Sequence, residues 1–132
     1  MLTGNLFIIN VKNHTETLAI LELLTKKLNI ANIDEHDSSY YLNDTYWNLD
    51  QGFWSVKLFY TGCFDCENPE INGKIHLAVV VRSHILTDAE LSAISGYLIK
   101  ILETKHKVII ESEIFPGLCD EEHALLAKFY MQ

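Results

Sequence analysis

Three features of the 132-residue sequence predict an α+β fold with a mostly antiparallel sheet. Short apolar or aromatic segments typical of strands recur along the chain, and segments with helical periodicity lie between them. Apolar residues make up 48% of the chain and charged residues 21%, which is ordinary for a globular domain. No repeat or linker divides the sequence, so residues 1–132 are expected to fold as one domain.

The chain starts with a predicted strand and a predicted helix. Residues 5–11, NLFIINV, form a nearly continuous apolar run, which is typical of a buried strand. Asn13 is a favourable helix N-cap, and Glu16 completes a start that resembles a capping box. Lys26 and Lys27 suit the C-terminal end of this helix because the helix dipole attracts cations there. Its predicted buried stripe consists of Leu18, Leu21, Leu24 and Leu28.

The middle of the chain predicts a hairpin. Residues 30–52 lose the helical spacing and are rich in turn formers, but their aromatic part favours a strand near 40–48. The sequence LDQG predicts a turn into a second strand at 53–61. In that strand Val56, Leu58 and Tyr60 alternate with Ser55, Lys57 and Phe59.

The second half of the chain predicts a loop, two strands and two helices. Pro, Gly and Asn predict a loop at 63–73, and LAVVV favours a central strand within 74–84. Thr87 and Glu90 form a capping box that starts a helix. The buried stripe of this helix is predicted to contain Leu91, Ile94, Leu98 and Ile101. A strand at 107–115 and a C-terminal helix at 120–132, with acids in its first turn, complete the chain.

The predicted order of elements is β-α-(β)-β-β-α-β-α, with four to five strands and about three helices. This order resembles the ferredoxin-like split β-α-β arrangement, with an added hairpin strand and an added C-terminal helix.

The cysteines leave three interpretations open. Cys63 and Cys66 form a C-x-x-C, while Cys119 and His123 lie four residues apart in a predicted helix. Together they offer the four nitrogen and sulfur ligands of a zinc site, if the two pairs meet. Alternatively, they are unrelated loop and helix residues, or the C-x-x-C is a redox pair. A redox site is disfavoured because ENPEING follows the motif where a helix would be needed. No cofactor is expected, with zinc as the alternative.

The charge of the chain narrows the classes of partner. Eighteen acids against ten bases give a net charge of −8, and Arg82 is the only arginine. Without a basic patch, neither nucleic acid nor an anionic membrane surface is an expected partner. No apolar run reaches membrane-spanning length and the N-terminus does not resemble a signal peptide, so a cytoplasmic location is expected.

Acidic residues concentrate in two segments that lack lysine and arginine, and the first of these segments is also rich in Tyr and Trp. One lies between Lys27 and Lys57, the other between Lys107 and Lys128. Tyr and Trp are frequent interface anchors, and carboxylates around them favour a partner rich in Lys and Arg. An alternative is that the aromatic residues are core and the acids merely solvated. The predicted partner-binding residues are Asp34, Glu35, Asp37, Tyr40, Tyr41, Asp44, Tyr46, Trp47, Asp50 and Trp54.

No catalytic motif is present among the histidines, serines and glycines, so the chain is not expected to be an enzyme. Size, acidity and the lack of such a motif favour a non-enzymatic interaction module. The sharpest version is an immunity- or antitoxin-type inhibitor that occludes a basic partner such as a toxin nuclease. A zinc-stabilised domain is one alternative. A small-molecule-binding or enzymatic domain, with its pocket between the sheet and residues 30–52, is another.

Overall fold

The computed structural model describes residues 3–30, 33–37, 45–61 and 76–116, with the backbone alone for 109–116. In chain order, the elements are β1 (Thr3–Asn10), α1 (His14–Leu28), β2 (Asp34–Asp37), β3 (Thr45–Asp50), β4 (Ser55–Tyr60), β5 (His76–Ser83), α2 (Asp88–Leu102) and β6 (Val108–Pro116).

The strands form a single sheet in the order β2-β3-β4-β5-β1-β6, and every neighbouring pair is antiparallel. The predicted α+β class with an antiparallel sheet is therefore confirmed. The five longer strands agree with the upper end of the predicted number, and the four-residue β2 adds a sixth that was not predicted. The described residues contain two helices, and the predicted C-terminal helix at 120–132 lies outside them.

Both described helices pack on one face of the sheet. The core there combines Phe7 of β1, Leu58 of β4 and Val79 of β5 with Leu24 of α1 and Leu98 of α2. Side chains alternate between the faces of a strand, so their neighbours point to the other face. Those neighbours are buried too: Leu6, Ile8, Lys57, Phe59, Ala78 and Val80 are each at most 2% exposed. The centre of the sheet is thus buried on both faces, which explains the continuous apolar runs of β1 and β5.

Helix α1 starts as its sequence predicts. The Asn13 side chain accepts a hydrogen bond from the Glu16 backbone N–H at 2.9 Å. The Glu16 carboxylate accepts from the Lys12 backbone N–H and lies 2.9 Å from the Nδ1 atom of His106. Asn29 ends the helix in the left-handed region, with φ of 55°.

The buried stripe of α1 differs from the prediction. Leu21 and Leu24 are buried, but Leu18 is 47% exposed and Thr17 and Ile20 take its place. The helix is therefore turned so that Leu18 faces the edge of the sheet that ends in β2. This rotation could not be read from spacing, because leucines alone do not show which flank of a wide apolar face meets the sheet.

Helix α2 has the predicted capping box, in which Thr87 and Glu90 exchange side-chain to backbone hydrogen bonds. Its buried residues are Leu91, Ser95, Leu98 and Leu102, whereas the predicted Ile94 and Ile101 are only half-buried.

The predicted hairpin is confirmed, although its loop is Gln51–Trp54. Gln51 N–H donates to the Trp54 carbonyl at 2.9 Å, and Gly52 takes φ of 89°, which a residue with a side chain adopts at a cost. The Asp50 carboxylate accepts from the Gly52 N–H at 2.8 Å and fixes the turn.

Candidate functional site

The structure divides the predicted partner-binding residues between two places. Asp34, Glu35 and Asp37 form most of β2, beside Tyr46 and Trp47 of β3, whereas Asp50 and Trp54 lie at the end of the hairpin. The predicted residues Tyr40, Tyr41 and Asp44 lie outside the described residues.

The first place is the edge of the sheet formed by β2. Its register pairs Glu35 with Trp47 and His36 with Tyr46. The His36 and Tyr46 rings stack with their centroids 4.8 Å apart. All four side chains of β2 are exposed, three of them carboxylates. An edge strand has one side without a strand neighbour, and charged residues are a common means of keeping it from aggregating.

A groove lies beside this strand, between α1 and the sheet. Its volume is about 280 Å³, and the carboxylates of Glu22 and Glu35 both line it. Leu18 and Ile33, 47% and 38% exposed, form apolar walls. We call β2 and this groove together the acidic edge, defined by Leu18, Glu22, Ile33, Asp34, Glu35 and Asp37.

Trp47 is a core residue, in contrast to its predicted role as an exposed anchor. Its side chain is 1% exposed and meets the Tyr60 ring edge-on at 5.5 Å. It still lines the groove, so it supports the acidic edge from inside. The composition of the segment could not distinguish Trp47 from Tyr46, because their exposure depends on which face of β3 meets the helices.

The buried Tyr60 hydroxyl joins α1 to the sheet. It lies 2.7 Å from the Nδ1 atom of His14. Burial raises the Tyr60 pKa above its ordinary value of 10.0, a hydrogen bond with Thr17 opposes this, and the negative charge of Glu35 adds to it. Tyr60 is therefore a neutral hydrogen-bonding group at physiological pH.

The second place is a cavity of about 310 Å³ at the end of the hairpin. We call it the Arg82 cavity. The end of β3 supplies Asp50, and the β3–β4 loop supplies Phe53 and Trp54. The end of β5 with the following turn supplies Arg82, His84 and Ile85. The sequence did not predict this grouping, because the antiparallel pairing of Ser55 with Arg82 creates it. One feature of the sequence could have pointed to the cavity: the only arginine of the chain lies just before a turn.

The four predicted zinc ligands Cys63, Cys66, Cys119 and His123 lie outside the described residues. Within the described ranges, no group of three or more His, Cys, Asp or Glu side chains is placed to hold a metal ion. Neither helix of the described chain is long and apolar enough to cross a membrane. The zinc site stays a prediction.

Comparisons with known proteins give no relative: no protein family, no curated protein and no solved structure matches the chain significantly. The function must therefore be inferred from the geometry of the acidic edge and the Arg82 cavity.

Proposed function

We propose that the chain is a non-enzymatic interaction protein that binds a basic protein partner through the acidic edge. In its sharpest form, it is an immunity- or antitoxin-type inhibitor that acts in the cytoplasm and occludes the basic cleft of a toxin such as a nuclease. The observation that carries this proposal is the groove, in which two carboxylates, Glu22 and Glu35, share one surface with the exposed apolar side chains of Leu18 and Ile33.

Such a surface suits the side chains of lysine and arginine. Their aliphatic stems can pack on Leu18 and Ile33, while the charged end reaches the carboxylates. Carboxylates alone would favour any cation, including solvated salt ions. The apolar walls add buried area that a protein side chain can use and a simple ion cannot.

Occlusion would follow from the charge of the whole chain as well as from the groove. A net charge of −8 attracts a basic partner over a distance and speeds the encounter. On contact, the carboxylates of β2 would occupy positions that phosphates take in the cleft of a nuclease. Tyr46, half-buried beside His36, would add aromatic contact area.

The order of the strands suggests how the acidic β2 was joined to the rest of the sheet. We interpret β1-α1-β4-β5-α2-β6 as a ferredoxin-like core, with β2 and β3 added beside β4. In this interpretation β2, which carries Asp34, Glu35 and Asp37 of the acidic edge, belongs to the addition, whereas Leu18 and Glu22 lie on α1 of the core. The predicted helix at 120–132 would be a further addition.

The test removes charge from the groove and, separately, from a matched place. The partner is isolated from the native host by pull-down, purified, and titrated by calorimetry at low and high salt. Glu22→Gln with Glu35→Gln removes two charges from the groove. Asp88→Asn with Glu103→Gln removes two exposed charges on α2 and serves as the control.

The groove variant is expected to bind about tenfold or more weakly and with a shallower dependence on salt, because the lost charges touch the partner. The control should lose only a small long-range attraction. Equal losses from both pairs would show that net charge alone is responsible. Unchanged binding by the groove variant would rule out the acidic edge as the contact.

A further inference from the structure

The Arg82 cavity is framed by hydrogen bonds that hold its two loops together. Ser83, 3% exposed, donates from its hydroxyl to the Phe53 carbonyl at 2.6 Å. The same hydroxyl accepts from the backbone N–H groups of Ile85 and Leu86, both at 3.0 Å. The tip of the hairpin and the turn after β5 are therefore fixed to each other, and the cavity between them is preformed.

Arg82 is the only lysine or arginine among the described residues that line this cavity, and its own hydrogen bonding is incomplete. The guanidinium has five N–H donors. Nη2 reaches the Asn48 side-chain oxygen at 3.4 Å, which is long for such a bond. Nε is shielded from solvent and has no hydrogen-bond partner, and among the described residues no carboxylate lies within 4.0 Å of the guanidinium. Within the described part of the chain, the fork of donors therefore has one long hydrogen bond and no carboxylate partner.

The lining of the cavity includes two large, exposed apolar side chains. Phe53 and Ile85 are each 68% exposed, the largest exposures among the big apolar side chains of the described residues. Trp54 is half-buried and packs against the core. Large apolar side chains on both sides of a charged group suit a ligand that has an apolar part next to an anionic group.

The other polar groups of the cavity limit the charge of that ligand. Asp50 lines the cavity too, and its carboxylate already accepts from the Gly52 N–H. Its negative charge, added to the net charge of −8, disfavours ions with two or more charges, such as phosphate. A single carboxylate can accept two parallel hydrogen bonds from the guanidinium.

The geometry points to a binding site for a small organic monocarboxylate with an aromatic or branched apolar group. Its carboxylate pairs with Arg82, and its apolar part covers Phe53 and Ile85. This site is distinct from the acidic edge and does not depend on the proposed inhibitor function. The carboxylate can come from a simple organic acid or from an amino acid. The ammonium group of an amino acid would donate a hydrogen bond to the Asp50 carboxylate.

The experiment is a titration followed by two-dimensional ¹H–¹⁵N NMR on the full chain. Phenylacetate is the probe, with phenylacetamide as a neutral analogue of the same shape, phenylalanine as the amino-acid form and inorganic phosphate as a small anion. Phenylacetate is expected to shift the signals of residues 52–55 and 82–85 and to bind about tenfold more tightly than phenylacetamide. Tighter binding of phenylalanine than of phenylacetate would identify the amino acid as the source.

Variants separate the charge from the apolar walls. Arg82→Gln should bind phenylacetate and phenylacetamide equally, whereas Arg82→Lys should keep part of the preference because it retains the charge without the fork. Phe53→Ser, at an exposed position that leaves the fold intact, should weaken both compounds alike. Lys105→Gln, an exposed cation outside the cavity, is the control and should change nothing.

Three results would overturn the site. One is equal affinity of the unchanged chain for phenylacetate and phenylacetamide. Another is an Arg82→Gln variant that keeps its folded spectrum and its preference for the acid. The third is a set of shifts scattered over the surface lysines, or stronger binding of phosphate than of phenylacetate, which would show a general response to anions.

Discussion

The acidic edge flanks β3 of the hairpin and the Arg82 cavity lies at the end of the same hairpin, and the two regions have opposite chemistry. The acidic edge takes most of its charge from consecutive residues, 34–37, so its character is visible in the sequence. The Arg82 cavity joins residues that lie about thirty positions apart, and its single arginine is surrounded by a chain with a net charge of −8. An excess of acidic residues can therefore be recognised from composition. The role of a single arginine in an acidic chain depends on the residues that the fold places around it.

The largest expected effect is a loss of stability on substitution of Trp47, which lies in the core and lines the groove of the acidic edge. Trp47→Ala should lower the free energy of unfolding by about 3–5 kcal/mol, because the side chain is fully buried against Tyr60. Tyr46→Ala, one position along the strand on the other face, is the matched control and should cost much less because Tyr46 is only half-buried. Urea denaturation measures both values. Similar losses for the two variants would contradict the assignment of Trp47 to the core.

The next prediction tests whether the acidic edge and the Arg82 cavity bind their ligands independently. Glu22→Gln with Glu35→Gln should reduce partner affinity about tenfold and leave phenylacetate binding unchanged. Arg82→Gln should do the reverse, because the two regions share no lining residue. Calorimetry with the purified partner and NMR titration with phenylacetate provide the two measurements. If either substitution impaired both kinds of binding, the two regions would form one site.

A smaller effect is expected at the start of α2, close to the Arg82 cavity. Thr87→Ala should lower the free energy of unfolding by about 1 kcal/mol, because it leaves the Glu90 N–H without its cap. The pKa of Glu90 is lowered from 4.5 by its hydrogen bonds with the backbone and side chain of Thr87. Its stabilising contribution is therefore complete above pH 4.5 and disappears as the pH falls through the lower pKa of the folded state.

Urea denaturation of the unchanged chain and of Glu90→Gln over a series of pH values checks this contribution. The difference between the two should be constant near neutral pH and should shrink in acid. Ser92→Ala, at an exposed position of α2 outside the capping box, removes an acceptor of the Asn5 side chain, and any loss of stability that it causes should not depend on pH. A difference that grew as the pH fell would have the wrong sign for a carboxylate with a lowered pKa.

The smallest expected effect concerns the four zinc candidates Cys63, Cys66, Cys119 and His123. Metal analysis of the purified chain should find less than about a tenth of an equivalent of zinc, and a chelator should leave the melting temperature unchanged. If the chain instead contained one equivalent of zinc and a Cys63→Ser variant lost it, the zinc-stabilised alternative would be established.

Local features of the fold were predictable because they depend on neighbours in the chain. Asn13 and Thr87 start their helices as predicted, since a cap needs only a side-chain oxygen and an N–H three residues away. The hairpin around Gly52 was likewise visible from its turn residues. β2 was missed because a strand of four exposed polar residues has no apolar pattern and exists through its pairing with β3.

The candidate sites likewise combine features that the sequence predicts with features that only the tertiary structure decides. Chain chemistry alone specified that three of residues 34–37 are acidic, that the net charge is −8, and that the sequence contains no long run of lysine and arginine. It could not show that Trp47 is buried while Leu18 is exposed, or that Phe53 and Arg82 share a cavity. The register of the antiparallel sheet and the rotation of α1 decided those points, because burial and proximity arise from contacts between segments that are distant along the chain.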